Sequence, residues 1–82
     1  MKRAERYHLL DSEDGWFLLE IEVCDGLAEF SDPYSHDFTM DVEGLHGEQL
    51  YKELHDHAAF ELGLDHEDCY LTDENESTIL AA

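Results

Sequence analysis

Apolar and polar residues alternate along three stretches of this chain, and a period of two marks a strand with one buried face. From Trp16 to Cys24, Phe17, Leu19, Ile21 and Val23 fall on one face. The other face begins with Trp16 and Leu18 and turns acidic at Glu20 and Glu22. Asp25-Gly26 then gives a two-residue hairpin signal, because a type I′ turn needs φ > 0 at both central positions. With that turn, Cys24 faces Leu27, Val23 faces Ala28, Glu22 faces Glu29 and Ile21 faces Phe30, so Leu27 to Ser31 is the returning strand. Phe38 to Glu43 alternates again, with Phe38, Met40 and Val42 inward and Thr39, Asp41 and Glu43 outward. Arg6 to Asp11 supplies one more strand, leading into a turn at Ser12-Glu13-Asp14-Gly15.

The period changes after Gly44. Leu50, Leu54, Ala58 and Leu62 recur every fourth residue with Tyr51 beside them, which predicts a helix over Glu48–Leu62. Gly47 is the expected N-cap, and Glu48 suits the positive end of the helix dipole. Gly63 fits the position just past the C-terminus, with Leu64 as its accompanying apolar contact. Glu61 falls inside the apolar arc and Phe60 falls nearly opposite it, so Phe60 is either covered by the C-terminal segment or exposed for contact.

Ser31 to His36 is a loop around Pro33, the one proline. Residues 1–5 are expected to fray. Residues 65–82 read either as short strands at Cys69–Leu71 and Thr78–Leu80 or as a partly ordered tail. The fold class expected is α+β: an antiparallel sheet of about four strands with one helix on its apolar face, in two layers, as a single domain over 1–82.

Charge changes the picture most. Twenty-two Asp and Glu stand against four Lys and Arg, a formal net charge of −18 over 82 residues. Lys2, Arg3 and Arg6 are three of those bases and Glu5 the one acid before Tyr7, so residues 7–82 hold 21 acids and one base, Lys52. Solvated faces normally intersperse both signs. Such a surface repels nucleic acid and anionic membranes, and its electrostatic partner must be basic. No apolar N-terminal run marks a signal peptide and no stretch is long enough to span a bilayer. The expected compartment is the cytoplasm, with Cys24 and Cys69 reduced.

The alternation places Glu20, Glu22, Glu29, Asp41 and Glu43 on the outward sheet face. Strand geometry sets same-face residues about 6.6 Å apart along a strand and about 4.8 Å apart between strands. Asp11, Glu13 and Asp14 extend this set at one end and Asp37 in the loop, and together these nine carboxylates are the candidate partner-binding residues. The pair Glu22–Glu29 puts like charges directly opposite each other, an arrangement that destabilises a sheet.

Other chemistry finds little support. His66-x-x-Cys69 is half a zinc motif that His36, His46 or Cys24 would have to complete, whereas zinc sites pair such motifs. The acidic runs DSEDG and DENES lack the calcium-loop pattern. No phosphate loop, nucleophile elbow or HExxH motif occurs, so no catalytic residue, cofactor or metal is assigned.

The function expected is an acidic, non-enzymatic inhibitor that mimics nucleic acid and occupies the basic groove of a nucleic-acid-binding protein or nuclease complex. In kind it resembles the small anti-restriction, anti-CRISPR and glycosylase inhibitors of phages and mobile elements, a likeness of class that carries over no residue. An immunity protein or antitoxin is the alternative, with Trp16, Tyr34, Phe60 and Tyr70 as aromatic anchors. A third reading makes the charge an adaptation to molar salt, and a fourth makes the chain a metal-binding regulatory domain. The sequence leaves the oligomeric state open.

Overall fold

The computed structural model describes residues 4–32 and 37–80. Six strands form one antiparallel sheet: β1 (Glu5–Asp11), β2 (Phe17–Cys24), β3 (Leu27–Ser31), β4 (Asp37–Asp41), β5 (Cys69–Asp73) and β6 (Thr78–Leu80). Their spatial order is β4-β3-β2-β1-β5-β6. The helix α1 (Gly47–Leu62) lies between β4 and β5 in the chain and carries it from one edge of the sheet back to the strand beside β1. The architecture is therefore α+β with one helix, but with six strands where the sequence suggested about four.

The β2–β3 hairpin forms in the register expected, from Cys24↔Leu27 to Ile21↔Phe30. Asp25 and Gly26 both have positive φ, 54° and 78°, as the type I′ turn requires. The apolar ladder continues across the sheet through Leu9↔Leu19, Tyr7↔Ile21, Phe30↔Phe38 and Leu9↔Leu71. Leu50, Leu54, Ala58 and Ala59 of α1 belong to the same buried cluster. Each buried Leu, Ile or Phe in it contributes about 1.5–3 kcal/mol by leaving water. Phe30 and Phe38 stack at 4.6 Å between ring centroids, and His57 of the helix stands edge-on to both at 5.5 Å.

Five details differ from the alternation reading. First, the register shifts between Leu9 and Leu10, so that Leu10 pairs with Phe17 instead of Leu18. A bulge of this kind reverses which face a residue meets. Phe17 therefore shares the outward face with His8, whose ring it meets at 5.6 Å, and Leu18 packs against the core. Second, β4 ends at Asp41, because the chain turns there, with the Glu43 N–H donating to Asp41 Oδ1 at 2.9 Å. Val42 remains buried, its N–H bonded to the Gly26 carbonyl at 2.8 Å. Third, His46 precedes the helix and Gly47 is its first residue, with no side-chain cap bond. Fourth, Glu5 is ordered in β1 opposite Val23 instead of frayed. Fifth, of the two readings of residues 65–82 the short strands hold, but β5 runs on to Asp73, and the sheet edges are β4 and β6.

The helix C-terminus follows its sequence signal closely. Gly63 adopts φ 71°, its N–H bonds to the Phe60 carbonyl at 3.2 Å, and the Leu64 N–H reaches the Ala59 carbonyl at 2.9 Å. These two bonds satisfy carbonyls that the helix end leaves open. The loop around Pro33 lies outside the described residues.

Candidate protein-binding face

The outward face of the sheet is built by the residues alternating with the core. Along one row lie Arg6, Glu22, Glu29 and Thr39, and along the next His8, Glu20, Ser31 and Asp37. Glu20, Glu22, Glu29 and Asp37 line one groove of about 360 Å³ together with Phe30, Ser31, Phe38 and Thr39. Four of the nine expected carboxylates thus converge.

The other five do not join them. Asp41 sits at the far end of β4 opposite Leu27. Glu43 leaves the sheet and folds over the hairpin tip, so close that a Cβ on Gly26 would collide with its carboxylate. Asp11 shares the inner parity of its partner Cys69 and serves the turn, accepting the Glu13 and Asp14 N–H groups at 2.8 and 3.1 Å on Oδ1. Asp11 and Glu13 line a separate hollow with Leu64, Glu67 and Asp68. The outward position of Asp41 follows the strand's alternation. Glu43, Glu13 and Asp14 belong to turns, where alternation does not apply, and Asp11 ends β1 on the inner parity.

Arg6 is the contributor that the pattern missed. Its Nε lies 3.3 Å from Glu22 Oε2, and its strand position is directly opposite Glu22. The repulsion between Glu22 and Glu29 is therefore partly offset within the chain. Exposed pairs of this kind contribute about 0–1 kcal/mol, so the offset is small. The signal was available: a hairpin pairing Arg6–Asp11 with Trp16–Cys24 brings Arg6 near Glu22.

The outward face is not uniformly acidic. Leu10 pairs with Phe17 on one side and Tyr70 on the other, giving an apolar end next to the carboxylates. Thr72 lies on this side of β5 yet is 1% exposed, and its Oγ1 has no hydrogen-bond partner among the described residues. Three large rings are exposed: Phe17 at 45%, Trp16 just before it at 72%, and Phe60 in the last turns of the helix at 78%. Of the suggested anchors, Trp16 and Phe60 are exposed, Tyr70 is half-buried and Tyr34 lies outside the described residues.

The histidines and cysteines separate. His55 is buried at 3%, and its Nε2 donates to the Cys69 carbonyl at 2.8 Å, while His57 faces the Phe30–Phe38 pair. Asp56 Oδ1 lies 3.5 Å from both His55 Nδ1 and His66 Nε2. Burial, reinforced by the Asp68 and Asp11 carboxylates, pushes the Cys69 thiol up to about 11. Burial and the hydrogen bond to Glu5 likewise raise the Tyr7 phenol. Cys24 and Cys69 stand on opposite faces of the sheet and are not bonded to each other. Among the described residues no group of three or more His, Cys, Asp or Glu is arranged to hold a metal ion, and no helix is long and apolar enough to cross a membrane.

The chain matches no family model, no curated protein and no solved structure.

Proposed function

We propose that this chain is an acidic protein-binding inhibitor, a nucleic-acid mimic that sets the outward sheet face into the basic groove of a DNA- or RNA-binding protein or nuclease complex. The observation that supports it is the convergence of Glu20, Glu22, Glu29 and Asp37 in one groove, with Arg6 as their single paired cation among the described residues. A rigid sheet holds these charges at fixed spacing, so little ordering cost remains when Lys and Arg arrive. Repulsion between Glu22 and Glu29 is relieved on binding, which converts a cost in the isolated chain into affinity. Encounter with a basic groove would be fast and steeply salt-dependent.

In this reading the protein acts in the cytoplasm, that of the host if the chain is phage-encoded, in the manner of an anti-restriction or anti-CRISPR inhibitor. It contacts no nucleic acid or membrane directly, and no residue is given a catalytic role. The exposed rings of Trp16 and Phe60 favour a second reading, an immunity protein or antitoxin that neutralises a basic nuclease. The partner separates the two: a cognate toxin, or a host nucleic-acid-binding complex.

The test is capture from host lysates at low and moderate salt with the immobilised chain. Recovery of a nucleic-acid-binding complex that DNA or RNA then competes away is the result expected. Retention of no basic protein at low salt would contradict the reading.

A further inference from the structure

Resting on that reading, we infer that the partner's groove is one built for single-stranded nucleic acid, carrying aromatic or apolar side chains among its cations. The inference comes from what the acidic groove adjoins. A duplex shows its partner phosphates and groove edges, while its base faces are stacked inside. A single strand shows phosphates and bare base faces together, and its binding proteins answer with cations and stacking side chains.

The outward face presents that second combination. Phe17 and Glu20 stand on the same side of β2 only because the register shift at Leu9/Leu10 turns Phe17 outward. An uninterrupted strand would have buried Phe17 in the core and left the carboxylates without a neighbouring ring. Leu10 and Tyr70 continue the apolar surface across β1 and β5, and the His8 ring, opposite Glu20, meets Phe17 edge-on at 5.6 Å. Trp16, the residue before Phe17 in the chain, is 72% exposed. A groove lined only by Lys and Arg would leave these rings in water.

Charge identifies the occupant as basic and argues against a second copy of this chain. Glu20 shares the outward face of β2 with Phe17, and a net charge of −18 opposes self-association through this face. A partner with cations spaced around a planar or apolar socket satisfies both halves of the face.

The experiment uses two peptides of equal charge, Lys-Phe-Lys-Gly-Lys-Phe-Lys and its counterpart with Ala for Phe. Each is titrated into the ¹⁵N-labelled chain at low salt, with amide shifts as the readout. The Phe peptide is expected to bind about five-fold more tightly, consistent with stacking gains on the order of 1 kcal/mol. Its shifts should centre on Leu10, Trp16, Phe17 and Tyr70. The double variant Trp16→Ala/Phe17→Ser should erase that preference while still binding the Ala peptide, and an unchanged circular dichroism spectrum shows that it folds. Equal affinity for the two peptides overturns the inference and leaves the acidic-inhibitor reading standing. Binding of neither peptide removes both. Concentration-dependent broadening at Phe17 without peptide would identify a second copy as the occupant and likewise overturn it.

Discussion

One residue separates two opposite roles on the β2–β3 hairpin. Ile21 meets Phe30 on the inner face, both buried beneath the helix, while Glu22 meets Glu29 on the outer face in the same ladder. The inner pair stabilises the fold by leaving water. The outer pair costs stability, because two carboxylates share one cross-strand position. The comparison shows that the core holds the acidic groove in shape against its own repulsion. Substitutions on the two faces should therefore move stability in opposite directions.

The largest effect lies inside. Phe30→Ala removes a ring that stacks on Phe38 and meets the edge of His57, and it should cost about 3–5 kcal/mol in urea unfolding. A loss below about 1 kcal/mol would mean that the inner ladder does not carry the sheet.

Next comes alkaline pH, which reaches only the inner side. The unfolded Cys69 thiol ionises near 9 and the folded one at about 11, so the unfolded state releases its proton first. Stability is then fully present below about pH 9 and falls as pH rises toward 11, by on the order of 2 kcal/mol. The raised Tyr7 phenol adds a loss of the same sign at higher pH. Urea titrations across that range check the slope, and Cys69→Ala should flatten the first part of it.

On the outer face the sign reverses. Glu29→Gln should raise stability by about 0.5 kcal/mol at low ionic strength, with the gain shrinking as salt screens the Glu22–Glu29 pair. A destabilised Glu29→Gln would show that this carboxylate has a structural role. Smallest of all is Phe17→Ser, expected to fall within about 0.5 kcal/mol of the native chain because the ring is half in water. Its effect should appear in binding instead.

These contrasts also mark what could be read from the sequence. The Asp25-Gly26 turn fixed the β2–β3 register, because a two-residue loop leaves the strands no freedom to slip. The helix and its Gly63 terminus were equally clear, since periodicity and capping are local. The bulge at Leu9/Leu10 was not, because a register shift depends on how two strands meet and leaves no composition signal. It misplaced Phe17, and with it the apolar end of the outward face. The β5 and β6 strands were ambiguous because β5 pairs with β1 across 58 to 66 residues of sequence, with no turn to announce it. His55 lies four residues after Tyr51 and four before Ala59 and so extends the buried stripe, which a polar residue type does not announce. Of the nine acidic candidates, Glu20, Glu22, Glu29, Asp37 and Asp41 hold outward strand positions. Glu43 and Asp11, drawn into turns by their own backbone bonds, did not join the groove.

The central claim is that binding depends on where the carboxylates sit, beyond how many there are. It is tested most directly by the affinity for hexalysine at low salt of three proteins. One is the native chain, one carries Glu20→Gln, Glu22→Gln, Glu29→Gln and Asp37→Asn, and one carries Glu53→Gln, Glu61→Gln, Glu67→Gln and Glu74→Gln at exposed positions off the outward face. Both variants lose four charges. The outward-face variant should bind about ten-fold more weakly while the other stays within about two-fold of the native chain. Equal losses in the two variants would contradict the account and make the charge a diffuse property of the surface.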